Sequence, residues 1–229
     1  MNFLKDEKGS AFIYLLWILT TVIVISLVII NITRVYVVKQ QASTSAELGA
    51  LAATTDILFV TEEAIKEYDA EMIRILQEAA ILEPKEPEEP EETVVVEYTP
   101  LWEIINDRKL VLAAGGKTSQ GAYIQALNEI LPGKIEDPLL KGFFDDKFRS
   151  PYLSNRIYST VKKIVKENGG NDDDQHISIK ISEDNYRVEV ITDATYNTIT
   201  DGRRLASFSK DIPQKGYGPK LSYLKYVLN

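Results

Sequence analysis

"YVVKQQASTSAELGALAATTDI", Tyr36 to Ile57, is too polar to sit in a bilayer and too apolar to be a linker. Its small residues Ala42, Ala46, Gly49 and Ala53 recur at spacings of four, three and four, which places them on one face of a helix. A stripe of small side chains lets another backbone approach closely. Two partners are open to it: sibling or partner helices, or the chain's own folded domain.

Upstream lies "AFIYLLWILTTVIVISLVII", Ala11 to Ile30, with no charge and only Thr20, Thr21 and Ser26 as polar interruptions. Twenty helical residues at about 1.5 Å each cover roughly 30 Å, the hydrocarbon thickness of a bilayer. The run continues into "NITRVYVVKQQ" with no small-x-small cleavage site, so it reads as a retained anchor. Lys5 and Lys8 precede the span, and Arg34 and Lys39 follow it. A short N-terminus and a large acidic remainder place the N-terminus in the cytoplasm and the rest outside.

Downstream, "TEEAIKEYDAEMIRILQEAAIL" has Ile65, Tyr68, Met72, Leu76 and Ala79 on one face, with Thr61 as its expected N-cap. "EPKEPEEPEE", Glu83 to Glu92, cannot bury a core and reads as an extended acidic linker. The expected organisation is a cytoplasmic N-terminus over 1–9, a transmembrane helix over 10–31, an Ala-rich and amphipathic helical region over 32–82, a Pro/Glu linker over 83–93 and an extracytoplasmic domain over 94–229.

That last region is expected to be α+β, with helices packed on an antiparallel meander. Ser119–Leu131 is a helix stopped by Pro132-Gly133, and a second opens at Ser150-Pro151, presents Leu153, Ile157, Val161 and Ile164, and closes at Gly169. The period then becomes two, with Ile177, Ile179 and Ile181 in one strand and Tyr186, Val188 and Val190 in the next. Asp201-Gly202 signals another hairpin between "ATYNTIT" and "RRLASFSKDI", giving about four strands.

Composition narrows the function. A net charge of −8 with no cationic cluster argues against nucleic acid, and against an anionic membrane surface as ligand for the acidic soluble part. The absence of cysteine removes disulfides, thiolate metal sites and a cysteine nucleophile. Gly116-Lys117-Thr118 looks like the end of a phosphate loop, but Val111 stands where that loop needs its first glycine; a turn after a short strand "KLVLAA" is the better reading. Asp172, Asp174 and His176 alternate like metal ligands yet lack the glycine and distant Glu of a calcium loop, so a solvated turn is expected there. Asp145-Asp146 reads as surface charge, and a Ser-His or Ser-Lys pair finds no Gly-x-Ser-x-Gly elbow or similar context in the sequence. No cofactor, no metal and no enzymatic activity are expected.

The stretch "EKGSAFIYLLWILTTVIVISLVIINITRVYVVKQQASTSAELGALAAT" resembles the TadE/TadG-like proteins of tight-adherence (Flp-type) pilus systems, relatives of type IV pilins and pseudopilins. The likeness covers about the first fifty-five residues: a charged start, a Gly-small step, a span, and an aromatic and basic exit into an Ala-rich helix. It implies a component of a pilus or related secretion assembly apparatus, with pilins or assembly proteins, the lipid bilayer and sibling copies of its own N-terminal helix as partners. It also implies a candidate processing junction at Gly9-Ser10. Pilin-like members carry a glutamate at the fifth mature position, where this chain has Tyr14, and that departure favours the uncleaved members of the group. The runner-up is a single-pass anchored binding or sensory domain, distinguished by a concave pocket with convergent polar groups.

Overall fold

The computed structural model describes residues 7–82, 98–199 and 209–228. The expected linker over 83–93 and the Asp201-Gly202 turn lie outside the described residues. One helix, α1 (Glu7–Leu82), runs without a break through the apolar span, the small-residue stripe and the amphipathic stretch. Helices α2 (Leu101–Ala114), α3 (Ser119–Ile130), α4 (Pro138–Phe148) and α5 (Pro151–Glu167) follow. Strands β1 (Ser178–Ile181), β2 (Val188–Asn197) and β3 (Ser209–Tyr217) form an antiparallel sheet in the order β1-β2-β3, and a short α6 (Leu224–Val227) ends the described chain.

The α+β architecture is as the sequence indicates, with three corrections. Among the described residues there are three strands rather than about four, because "VEVITD" and "ATYN" are one continuous strand; its partner β3 runs from Asn197↔Ser209 to Glu189↔Tyr217. "KLVLAA" is the last half of α2, not a strand. Its β-branched content is low, and Leu101 and Ile105 in the preceding turns already fix a buried helical face. Thr61 is not a cap. It lies inside α1, fully buried, where its hydroxyl donates to the Ile57 carbonyl at 2.9 Å and shares a 2.8 Å hydrogen bond with the Tyr223 hydroxyl.

Caps fix the shorter helices. Thr118, Asp137 and Ser150 accept from backbone N–H groups at the starts of α3, α4 and α5, with proline in the first turn of α4 and α5. Gly169, at φ +77°, closes α5 in the left-handed region that suits glycine. Pro100 offers α2 no side-chain cap, and Asp69 of α1 takes that role from outside: its carboxylate accepts from Leu101 N and Trp102 N at 2.8 and 2.9 Å, and from the Tyr98 hydroxyl at 2.7 Å. Its neighbour Tyr68 donates to Asp137 at 2.9 Å, tying α4 to the same turn of α1. Burial and that carboxylate push the Tyr68 phenol up to about 12.

The core gathers around the middle of α1. Ile57, Ile65, Ile105, Leu127, Leu131, Phe144 and Val161 are fully buried within it, each large apolar side chain contributing about 1.5–3 kcal/mol. The segment of α1 from 42 to 65 is thus the axis on which the sheet, α2, α4 and α5 pack.

Candidate functional site

α1 carries two different surfaces. From Ala11 to Ile30 every residue is exposed, including Phe12, Trp17, Leu19, Ile23 and Ile29. Its threonine and serine hydroxyls are satisfied within the helix: Thr20, Thr21 and Ser26, and Thr33 just beyond, each donate to the carbonyl four residues back, at 2.8–2.9 Å. This is a helix long and apolar enough to cross a membrane. The candidate junction Gly9-Ser10 lies in its first turns.

The small-residue stripe lies further along the same helix and faces inward. Ala42, Ala46 and Ala53 are fully buried and Gly49 is buried. A Cβ on Gly49 would sit 3.3 Å from Val161 of α5 and 3.4 Å from Val190 of β2. Gly216 of β3 rests on the Ala46 backbone, and Gly218 lies over Ala50 and Thr54. Of the two partners open to the stripe, the structure presents the chain's own sheet and α5. The glycines at 216 and 218 are the reciprocal signal, unreadable before the strand register is known.

The outer face of the sheet holds a polar cluster. Side chains alternate along β2, so Val188, Val190, Thr192, Ala194 and Tyr196 point to α1, and Glu189, Asp193 and Thr195 point away. Glu189 pairs with Lys215 at 3.1 Å and Lys180 at 3.6 Å; the hydrogen bond to Lys215 holds its carboxyl below the usual range. His176 Nδ1 meets Asp193 Oδ2 at 2.8 Å, Asn171 Nδ2 donates to the other Asp193 oxygen, and Thr195 donates to Asp211 at 2.7 Å. The hydrogen bond to Asp193 raises the His176 pKa above its ordinary value.

His176 is therefore joined to Asp193 and Asp211, whose ligand atoms all lie within 4.8 Å of one another. Asp172 and Asp174 turn elsewhere, to Lys166 at 3.1 Å and to Lys162 and the Tyr158 hydroxyl at 2.7 Å. The carboxylate oxygens of the cluster already accept from Asn171, His176 and Thr195, so it works as a clamp between the 171–176 segment and the hairpin. Sequence reading missed Asp193, Thr195 and Asp211 because the β2–β3 register, which sets Thr195 opposite Asp211, brings them together.

Gly116-Lys117-Thr118 forms the α2–α3 turn, and Thr118 caps α3. An open cavity of about 450 Å³ lies between α5 and β1, lined chiefly by Ile57, Ile157, Ile179, Ile181 and Val188, with Asn155 and Lys180 at its margin.

A single helix is thus lipid-compatible in its first part and the core of an α+β domain with an antiparallel sheet in its second. Residues 9–56 match the Tad family model, Flp pilus-assembly TadE/G-like. The match begins at the candidate junction and ends inside the buried part of α1, and it supports a role in Flp/Tad-type pilus assembly. No curated protein and no solved structure matches the chain.

Proposed function

We propose that the chain is a non-catalytic, single-pass component of a Flp/Tad-type pilus or related secretion assembly apparatus, with its N-terminus cytoplasmic and its α+β domain outside the membrane. The observation that carries the reading is the division of α1 at the end of its apolar run. An exposed apolar cylinder of this length needs lipid or other helices around it, while the rigidly continuous second half joins it to the domain without a hinge. Because the small-residue stripe is occupied within the chain, contacts with pilins or assembly partners fall to the part of α1 before Ala42 and to the outer surfaces of the domain.

The test is brief crosslinking in the native membrane, affinity purification of the full-length protein and mass spectrometry of partners and of its own N-terminus. Pilins or a secretion ATPase platform in the product support the assembly role, and a chain starting at Ser10 identifies a processed member. An intact Met1 with no pilus or secretion component overturns it in favour of an anchored binding domain, for which the α5–β1 cavity is the place to look.

A further inference from the structure

The far end of the β2–β3 pair is tied to the exit of the apolar span. Asn31 stands one residue beyond Ile30, and its Oδ1 accepts from the Tyr196 hydroxyl at 3.2 Å and from Ile199 N at 3.0 Å. Its Nδ2 donates to the Leu27 carbonyl at 3.0 Å, which fixes the amide's orientation. If Ala11–Ile30 fills the hydrocarbon core, the end of β2 is held at the level of the lipid headgroups.

Immediately above this tie lies a hollow of about 330 Å³ between α1 and β2, with Arg34, Gln41 and Asn197 around its polar side and Val37 and Val38 along its wall. At about 1.5 Å per residue, Arg34 stands roughly 6 Å beyond Ile30, within the headgroup layer. Among the described residues Arg34, Lys39 and Lys210 have no ion-pair partner, and Lys210 lies opposite Tyr196 in the strand register. From Ser10 to Ala46 the chain has no carboxylate. The net charge of −8 therefore belongs to the rest of the molecule, and the α1 side of the hollow is cationic; on the sheet side Asp211 accepts from the lining residue Thr195 at 2.7 Å.

We propose that this hollow binds the phosphate of an anionic phospholipid headgroup, with Arg34 pairing with the phosphate, Asn197 donating a hydrogen bond, the acyl chains running back along α1 toward Ile30, and the polar head beyond the phosphate lying along Val37 and Val38 toward Gln41. The bound lipid and the Asn31 tie together hold the domain in one orientation on the bilayer. Guanidinium–phosphate pairing is strong and directional, and cationic residues just outside a span are attracted to anionic lipid. The inference rests on the reading of α1 as a membrane span.

The test uses the full-length protein in nanodiscs of equal parts phosphatidylcholine and phosphatidylglycerol. Because the chain has no cysteine, single spin labels can be placed at Val24→Cys, Ile199→Cys and Asn185→Cys, the last in the β1–β2 turn. The expected result is Val24 in hydrocarbon, Ile199 at headgroup depth and Asn185 in water. Native mass spectrometry of protein released from the same discs should show phosphatidylglycerol retained several-fold over phosphatidylcholine. That preference should fall to the bulk ratio in Arg34→Gln, persist in Lys163→Gln, which removes the same charge on α5, and survive excess inorganic phosphate. A hairpin label as water-accessible as Asn185 while Val24 is in hydrocarbon overturns this proposal alone, as does an unchanged lipid preference in Arg34→Gln. Displacement by inorganic phosphate overturns the lipid in favour of free phosphate. A water-accessible Val24 overturns the membrane reading itself.

Discussion

A Cβ on Gly216 would lie 2.1 Å from the carbonyl carbon of Ala46, closer than any side chain can approach a backbone. β3 thus rests directly on α1, and the contact needs a glycine on one side and an alanine at the stripe on the other. The consequence is a specific intolerance. Gly216→Ala must push β3 off α1, and overpacking of this kind costs about 1–3 kcal/mol or more. Thermal unfolding of the detergent-solubilised full-length protein should show a clearly lower midpoint for Gly216→Ala and none for Gly133→Ala, where a Cβ meets nothing within 4 Å. Equal midpoints would remove the close approach.

Asp69 gives a second prediction. It is buried, and three donors converge on its carboxylate from the start of the α2 segment. Asp69→Ala leaves the N–H groups of Leu101 and Trp102 and the Tyr98 hydroxyl without that acceptor, at about 1–3 kcal/mol for a buried donor left unpaired. Asp69→Asn keeps the shape and one acceptor oxygen and should cost less. Fluorescence of Trp102 reports the change locally, and a loss confined to Asp69→Ala identifies the acceptor rather than the packing as the cause.

Much of this was legible from residue pattern. The apolar run, the helical spacing of Ala42, Ala46, Gly49 and Ala53, the Ser150-Pro151 start and the Ile177–Ile181 alternation are local signals, and local signals survive into the structure. What the pattern could not supply depends on tertiary pairing. The stripe's partner is set by Gly216 and Gly218, far away in sequence, and His176's partners are set by the β2–β3 register. Thr61 looked like a cap because threonine before two glutamates favours a helix start; burial against Tyr223 instead lets it bond back to Ile57 and continue the helix. The "KLVLAA" segment shows the complementary failure, since a short apolar run has no period of its own to separate helix from strand.

The His176–Asp193 contact sets a pH dependence with a definite sign. The folded state raises the histidine pKa above its ordinary 6.5 through the hydrogen bond to Asp193. Its stabilisation is therefore complete below that value and fades as pH rises through the raised pKa. Between about pH 6 and pH 8, the unfolding midpoint of the wild type should decline more than that of His176→Gln or Asp193→Asn. Glu189 acts at the opposite end. Its lowered pKa means that its contribution is present above the ordinary 4.5 and is lost as pH falls through the folded value. Glu189→Gln should flatten the acid limb alone, so parallel profiles for the two sets of variants would contradict the assignment.

Ala46→Leu and Gly49→Leu separate folding from association. Both positions are buried against β2, β3 and α5, and a leucine at either has no space. The expected outcome is a loss of the domain's cooperative unfolding transition, seen in the isolated, solubilised protein at concentrations where it is monomeric. Substitutions on the exposed apolar part of α1, such as Ile23→Ala and Val24→Ala, should leave that transition in place and change only which partners are crosslinked in the membrane. Were Gly49→Leu to fold normally and lose only its crosslinked partners, the stripe would face another molecule. The packing of Gly49 between Val161 and Val190 predicts the reverse: a chain that fails at the level of its own fold before any partner is met.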